Sequence, residues 1–301
     1  PISVQKEEPR IKVEGLSFKR LVPGTMVLGQ ITQVTSRDLV LALPNNLTGF
    51  IPLTAVSDQL TQRIERLLNE DGDASDDDVS EEEDIVLAKC FTVGQYLRAH
   101  VTSTVDQSAS NRGKRHIELS VNPRVVNRGL LSSDIVMNSM VQASVVSVED
   151  HGLVMDLGLE DGSVKGFISS KEVGHNVDHS KIREGAVFLC LVTGLSSNGK
   201  IVKLSANHQK AGNVKKSHFL SEAPTINVFL PGTATEMLIT DVSPTDIAGK
   251  ITGMLDATAD LVHSGAGESP KELANKYKAG NKVKVRIISK FPDSDPPKVG
   301  V

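Results

Sequence analysis

Aromatic side chains are scarce in this chain: Trp is absent, and only two Tyr and eight Phe occur among 301 residues. Any core must therefore rest on Val, Ile and Leu, residues that favour strands. Cysteine is almost missing. Cys90 and Cys190 stand alone with no CxxC spacing, which argues against a disulfide framework or a zinc site and suits a reducing compartment. No apolar run approaches the length of a membrane span, and no signal-peptide pattern opens the chain. The sequence starts at Pro1 and stops at Val301 inside what reads as a strand, so it is expected to be a piece of a longer protein. Also missing are a phosphate loop of the Walker kind and a Gly-x-Ser-x-Gly elbow. The carboxylates concentrate in one run, where like charges repel and form no rigid pair. The reading is non-enzymatic: no catalytic residue, cofactor, metal, membrane or small-molecule substrate is expected.

Apolar residues make up 39% of the chain, enough for packed cores, and the formal charge is −4. That sum hides an asymmetry. Residues 70 to 84 (EDGDASDDDVSEEED) hold ten acids and no base, leaving 33 bases against 27 acids elsewhere. Mild basicity of the remainder permits contact with nucleic acid without requiring it.

One unit is written three times. The openings are PGTMVLGQITQV (Pro23 to Val34), MNSMVQASVVSV (Met137 to Val148) and PGTATEMLITDV (Pro231 to Val242), each an alternating strand entered through a turn. A Gly-hydrophobic pair follows in each: Gly49-Phe50-Ile51, Gly166-Phe167-Ile168 and Gly253-Met254-Leu255. A Gly-led strand comes next, at Phe91 to Val101, Ile182 to Val192 and Tyr277 to Ile287. The units close on His116 to Ser120, Lys200 to Ser205 and Lys298-Val299. Five short strands with one helical connection fit a five-stranded Greek-key barrel, whose closure removes exposed edges. The expected organisation is an N-terminal extension (1–20), barrel one with its acidic insert (21–131), barrel two (132–207), a basic linker (208–223) and an incomplete barrel three (224–301). Leu60, Ile64, Leu67 and Leu68 place a helix over Asp58 to Glu70. Ser269-Pro-Lys-Glu272 is a capping box with Pro at the first helical position, starting a helix to about Tyr277. The short joint 122–133 leaves little slack between barrels one and two.

The repeat resembles the S1 RNA-binding domain: a Gly-led strand, a turn strand, a Gly-hydrophobic strand, a second Gly-led strand and a closing basic-Ile-x-Leu-Ser. With Phe18 to Gly29 leading into unit one, the acidic insert before its fourth strand and Glu149-Asp-His-Gly152 in unit two, the chain is similar to the opening domains of the ribosomal RNA processing protein five family. Those are large nucleolar factors with many S1 repeats. The resemblance implies an all-β chain of tandem OB-fold (S1-type) barrels. It implies a nucleolar factor without catalysis that binds pre-ribosomal RNA and meets other assembly factors in a large ribonucleoprotein.

The stacking residues that the S1 resemblance implies are mostly replaced. The two aromatic places fall on Arg37 and Val40, on His151 and Val154, and on Thr245 and Ala248. The His place falls on Pro52, Ser169 and Asp256. The basic place falls on His116, Lys200 and Lys298. RNA contact is therefore expected to be mainly electrostatic, through Arg37, Arg112, Lys114, Arg115, His116, His151, Lys200, Lys203, Lys215 and Lys216. The alternative is that the barrels are protein-binding or spacer modules with little RNA contact, a reading that suits unit three best. Phe50 and Phe167 read as core residues, His100 as a satisfied barrel residue within a strand, and His175 and His179 as loop residues. Ser75 and Ser80, each followed by three acids, resemble acid-directed phosphorylation sites.

Overall fold

The structure, a computed structural model, describes residues 15–70, 87–106, 115–174, 182–197, 199–207, 210, 220, 223–267, 269–292 and 294–301. Barrel one contains β1 (Met26–Val34), β2 (Asp38–Leu43), β3 (Leu47–Pro52), α1 (Asp58–Glu70), β4 (Tyr96–Asp106) and β5 (Arg115–Ser120). The short α2 (Pro123–Val126) sits in the joint, and β6 (Met140–Glu149), β7 (Gly152–Asp156), β8 (Lys165–Ser169), β9 (Val187–Leu195) and β10 (Ile201–Ser205) form barrel two. Barrel three has β11 (Ala234–Val242), β12 (Asp246–Ile251), β13 (Leu255–Asp260), α3 (Pro270–Lys276), β14 (Lys282–Arg286), β15 (Ser289–Lys290) and β16 (Lys298–Gly300).

Strand pairing runs β1-β2-β3-β5-β4 and back to β1 in barrel one, and the same order recurs as β6-β7-β8-β10-β9 in barrel two. In both, the third and fifth strands run parallel and the other pairs antiparallel. This is the OB-fold topology of a five-stranded Greek-key barrel. Barrel three repeats it with β14 and β15 sharing the place of the fourth strand, the chain kinking at Ile287–Ile288 between them. The first strand bulges at one matched place in each copy: between Ile31 and Gln33, Val145 and Ser147, and Ile239 and Asp241. A bulge bends the strand so that its two halves serve different neighbours. Inward positions are aliphatic, as in Leu39, Leu41 and Leu43 of β2, all buried.

The bend leaves the first half of each opening strand with one free edge, a row of unpaired backbone groups. The three barrels fill it differently. On β1, the edge is taken by β15 of barrel three, with Met26 opposite Lys290 and Val27 opposite Ser289, which merges the two barrels into one eleven-stranded sheet. On β6, the side-chain amide of Asn127 takes it: Nδ2 donates to the Gln142 carbonyl at 2.6 Å and Oδ1 accepts from the Gln142 N–H at 3.4 Å. On β11, the backbone of Leu220 donates to the Ala234 carbonyl at 3.1 Å.

Gln142 then repeats the device on barrel one. Its Oε1 accepts from the Arg98 N–H at 2.8 Å, and its Nε2 donates to the Arg98 carbonyl at 2.9 Å and to the Val121 carbonyl at 2.6 Å. The Arg98 guanidinium, fully buried, donates to Pro231 O of barrel three (2.9 Å), Asn127 Oδ1 of the joint (3.0 Å) and Met140 O of barrel two (2.8 Å). Around this node, Leu28 packs on Met140, Leu189 and Leu191. Helix α1 docks beside it, with Ser57 Oγ donating to Gly185 O at 2.8 Å and Gln59 bridging Ser144 and Asp156. Gly185 has a positive φ of 88°, and a Cβ there would lie 2.9 Å from the Leu60 Cβ, so only glycine fits.

The expected helix over Asp58 to Glu70 forms, burying Leu60 and half-burying Ile64, while the side chains of Leu67 and Leu68 lie outside the described residues. The capping box at Ser269 is present and α3 ends before Tyr277. Barrels one and three also meet at a small cavity lined by Leu16, Asn45, Thr258, Asp260, His263 and Gly300. There His263 Nδ1 lies 2.7 Å from Asp260 Oδ1. The Asp260 carboxylate holds the imidazole above its ordinary 6.5. In turn His263 first, and more weakly Asn45 of barrel one, hold that carboxylate below its usual range.

Because the barrels share polar groups at their centre, the chain is expected to unfold in urea as one transition with a slope suited to its whole length. Asn127→Ala strands several buried partners and should cost about 2–4 kcal/mol. A double-mutant cycle with Gln142→Ala should show coupling of at least about 1 kcal/mol. Three separate transitions would contradict this. For His263, a raised folded value means its stabilisation is complete below 6.5 and is lost as pH rises through that folded value. The difference in urea midpoint between the parent chain and His263→Gln should therefore shrink between mildly acidic buffer and about pH 8.

Candidate nucleic-acid interface

The second, third and fifth strands of each barrel present their alternate, outward residues on one face. In barrel two this face carries a cross-strand row in which Val154 lies opposite Phe167 and Phe167 opposite Lys203. Phe167 is half-buried and Lys203 exposed. The ring reaches over Gly152, where a Cβ would come within 2.9 Å of Phe167 Cζ and 2.1 Å of the Ile168 oxygen. Glycine at the end of the Glu149-Asp-His-Gly152 turn thus lets the ring lie flat against the barrel. His151 is exposed in that turn, and its carbonyl accepts from Ser170 N at 3.0 Å, tying the turn to the end of β8. Lys165, exposed, sits opposite Asp156 and Ile201, and Lys200 is exposed just before β10.

Barrel one carries the equivalent row Val40, Phe50 and Glu118. Here a second ring joins: Phe50 and His116 stack with centroids 4.8 Å apart and planes 13° from parallel, within the range of an offset aromatic pair. The Arg115 guanidinium lies 5.2 Å from the centre of the Phe18 ring, a cation–π distance. Glu118, in the place of Lys203, accepts from Ser103 Oγ at 3.0 Å and brings negative charge. Arg37 is exposed in the β1–β2 turn, its carbonyl bonded to Leu53 N at 2.9 Å.

In barrel three the row is Ala248, Thr258 and Gly300, with no ring. Ala248 and Thr258 are 1% and 5% exposed, and Thr258 and Gly300 line the cavity shared with Leu16 and Asn45 of barrel one. This face is spent inside the molecule.

Three expectations need correction. Phe50 and Phe167 are not core residues. Strand alternation puts Gly49 and Ile51, and Gly166 and Ile168, inside, so the Phe between them faces out. Gly253 and Met254 are not their counterparts: they fall in the β12–β13 turn, and Met254 is 66% exposed. The register instead matches Thr258 to Phe50. His100 is not a satisfied barrel residue, since its Nδ1 is buried without a hydrogen-bond partner among the described residues.

Of the expected contact residues, Arg115 and His116 come together with Phe18 and Phe50 on barrel one, while His151, Lys200 and Lys203 share barrel two. Arg112, Lys114, Lys215, Lys216, Ser75, Ser80, His175 and His179 lie outside the described residues. Sequence reasoning passed over Phe50 and Phe167 as outward rings, although the Gly-Phe-Ile alternation carried the signal. Both thiols are buried, and burial pushes Cys90 and Cys190 up. Among the described residues no cluster of His, Cys, Asp and Glu is arranged to hold a metal, and no helix is long and apolar enough to cross a membrane.

No protein-family model matches the chain. Curated proteins do. It is 33% identical over 98% of its length to the rRNA biogenesis protein rrp5 of Schizosaccharomyces pombe, covering 17% of that protein. It is 28% identical over 93% of its length to the Protein RRP5 homolog of Mus musculus, covering 14% of it. The chain therefore spans about one sixth of the length of the curated relatives it matches. Among solved structures, GSP13 from Bacillus subtilis aligns with 30% of this chain and 66% of its own at 19% identity and a TM-score of 0.23. A Streptococcus pneumoniae multidomain protein with nucleic acid binding domains aligns with 91% of this chain and 72% of its own at 10% identity and a TM-score of 0.22. Alignment along nearly its full length makes the chain a homologue of one stretch of the RRP5 proteins of rRNA biogenesis.

Proposed function

We propose that this stretch is a non-catalytic scaffold of rRNA maturation that holds single-stranded precursor RNA, in the nucleolus and alongside other assembly factors, on a three-barrel platform. The observation that carries the reading is the Val154–Phe167–Lys203 row, an outward ring beside a lysine on the open face of barrel two. An unpaired base stacks on such a ring at about 1–3 kcal/mol per base, and the lysine meets the neighbouring phosphate. Barrel one adds the Phe50–His116 pair, with Glu118 weakening its hold on phosphate. Barrel three braces the other two. The homologues' names support a role in rRNA biogenesis.

A second reading, protein-binding or spacer barrels with little RNA contact, is favoured by one observation: the matched face of barrel three is buried against barrel one. Measuring short oligouridine binding by anisotropy separates the two. Phe167→Ala should weaken binding roughly 5- to 100-fold. Lys203→Ala should reduce the salt slope by about 0.7, and Met254→Ala, an exposed change on barrel three, should do nothing. Equal affinity in all four proteins would sink the RNA reading for these faces and leave the spacer reading standing.

A further inference from the structure

Away from that face, the outer surface of β4 carries Arg98 and His100 at alternate positions, opposite Leu28 and Met26 of β1. On the far edge of Met26, β15 places Lys290. Residues directly opposite in an antiparallel pair share a face, so His100 and Lys290 flank Met26, two strand spacings or about 10 Å apart. Arg128, exposed, follows Asn127, whose Oδ1 holds the Arg98 guanidinium. Four cationic or protonatable groups from two barrels and the joint thus meet at one place. No ion pair to any of them occurs among the described residues.

That arrangement is costly as it stands. Burial lowers Lys290, and the nearby Arg98 charge lowers it further. Burial lowers His100, and Arg128 adds to the effect. The Arg98 guanidinium is lowered to about 9 by burial and remains charged at neutral pH. Its three acceptors are neutral oxygens, which orient the group without cancelling its charge. In a low-dielectric junction, positive groups without a counter-charge attract an anion strongly. His100 also holds a buried nitrogen with no partner among the described residues.

We propose that the junction of the three barrels is a phosphate notch, in which Lys290, Arg128 and His100, above the Arg98 guanidinium, take one phosphodiester of a single-stranded RNA backbone. A phosphate suits donors converging from three directions, because its oxygens are tetrahedrally disposed and each accepts charge-assisted bonds. The lysine stem is long enough to lean across Met26 toward the imidazole. The identification of the phosphate as RNA rests on the reading of the barrel faces, whereas the anion site itself does not.

The test uses the whole chain with Lys290→Met, Lys290→Arg and Arg128→Ser. Lys290→Met keeps the apolar stem and removes a like charge beside Arg98, so it should fold at least as stably as the parent in chloride buffer. Inorganic phosphate, at ionic strength matched with chloride, should raise the melting temperature of the parent and of Lys290→Arg, and raise that of Lys290→Met and Arg128→Ser much less. With oligouridine, Lys290→Met should lower the salt slope by about 0.7 and weaken binding ~3- to 10-fold at low salt. Equal phosphate shifts in the parent and Lys290→Met would overturn the notch. Phosphate stabilisation with an unchanged RNA slope would mean a site for free phosphate and overturn its assignment to RNA. A loss in Lys290→Met with none in Phe167→Ala would uphold the notch and remove the reading of the barrel face.

Discussion

Everything in the arrangement of the barrels follows from one requirement: the backbone groups on the free edge of a bent strand must be bonded once they are buried. An OB-type barrel bends its first strand at a bulge, so half of that strand has a neighbour on one side only. Left in water the edge is harmless; buried between domains, each unpaired group costs about 1–3 kcal/mol. Here the edges are filled from within. Barrel three lends β15 to β1, and Asn127 lends a side-chain amide to β6. An amide side chain has the donor and acceptor of a peptide group, so Asn127 and Gln142 each stand in for one residue of a missing strand. The contact is specific in a way that apolar packing is not, because a shift of one residue would offer donor to donor.

Arg98 turns those separate bonds into one junction. Its guanidinium reaches the joint, barrel two and barrel three at once, at 2.8 to 3.0 Å. A buried charge without a carboxylate is poor value for stability alone, since desolvation opposes it. Its geometry is what a lysine would not reproduce: a planar fork fixes three directions simultaneously. The consequence is that the outward faces of barrels one and two hold set positions, so that under the proposed function the ordering cost of meeting one RNA strand is already met by folding.

The barrels, α1 and α3 were legible in the sequence because each is written locally: alternation for strands, Leu60 and Ile64 at helical spacing, a capping box at Ser269. The face residues were legible in principle and misread. Gly49-Phe50-Ile51 states its own orientation, because the glycine and the isoleucine share the inner face. The same phrase misled at Gly253-Met254-Leu255, where the letters match but Gly253 and Met254 lie in the turn of a hairpin built like that of barrel one, whose register puts Thr258 in the place of Phe50. Arg98, Asn127 and Gln142 were not legible. Nothing within ten residues of Arg98 distinguishes it from a surface arginine, and its partners lie 29, 42 and 133 positions away.

The three copies have drifted apart along one set of positions, and the drift follows what each face touches. At the place opposite the ring, barrel two has Lys203, barrel one Glu118 and barrel three Gly300. At the ring itself they have Phe167, Phe50 and Thr258. A face open to solvent carries an aromatic ring that water alone would not favour, and the proposed base stacking rests on that ring. A face pressed against a neighbouring barrel has small residues, because Thr258 and Gly300 let barrel one approach where a phenylalanine would hold it off. Barrel three thus gives up its own face to seat the edge strand on β1. That same seating carries Lys290 to the side of Met26 opposite His100, so bracing and the concentration of positive charge at the junction come from one contact.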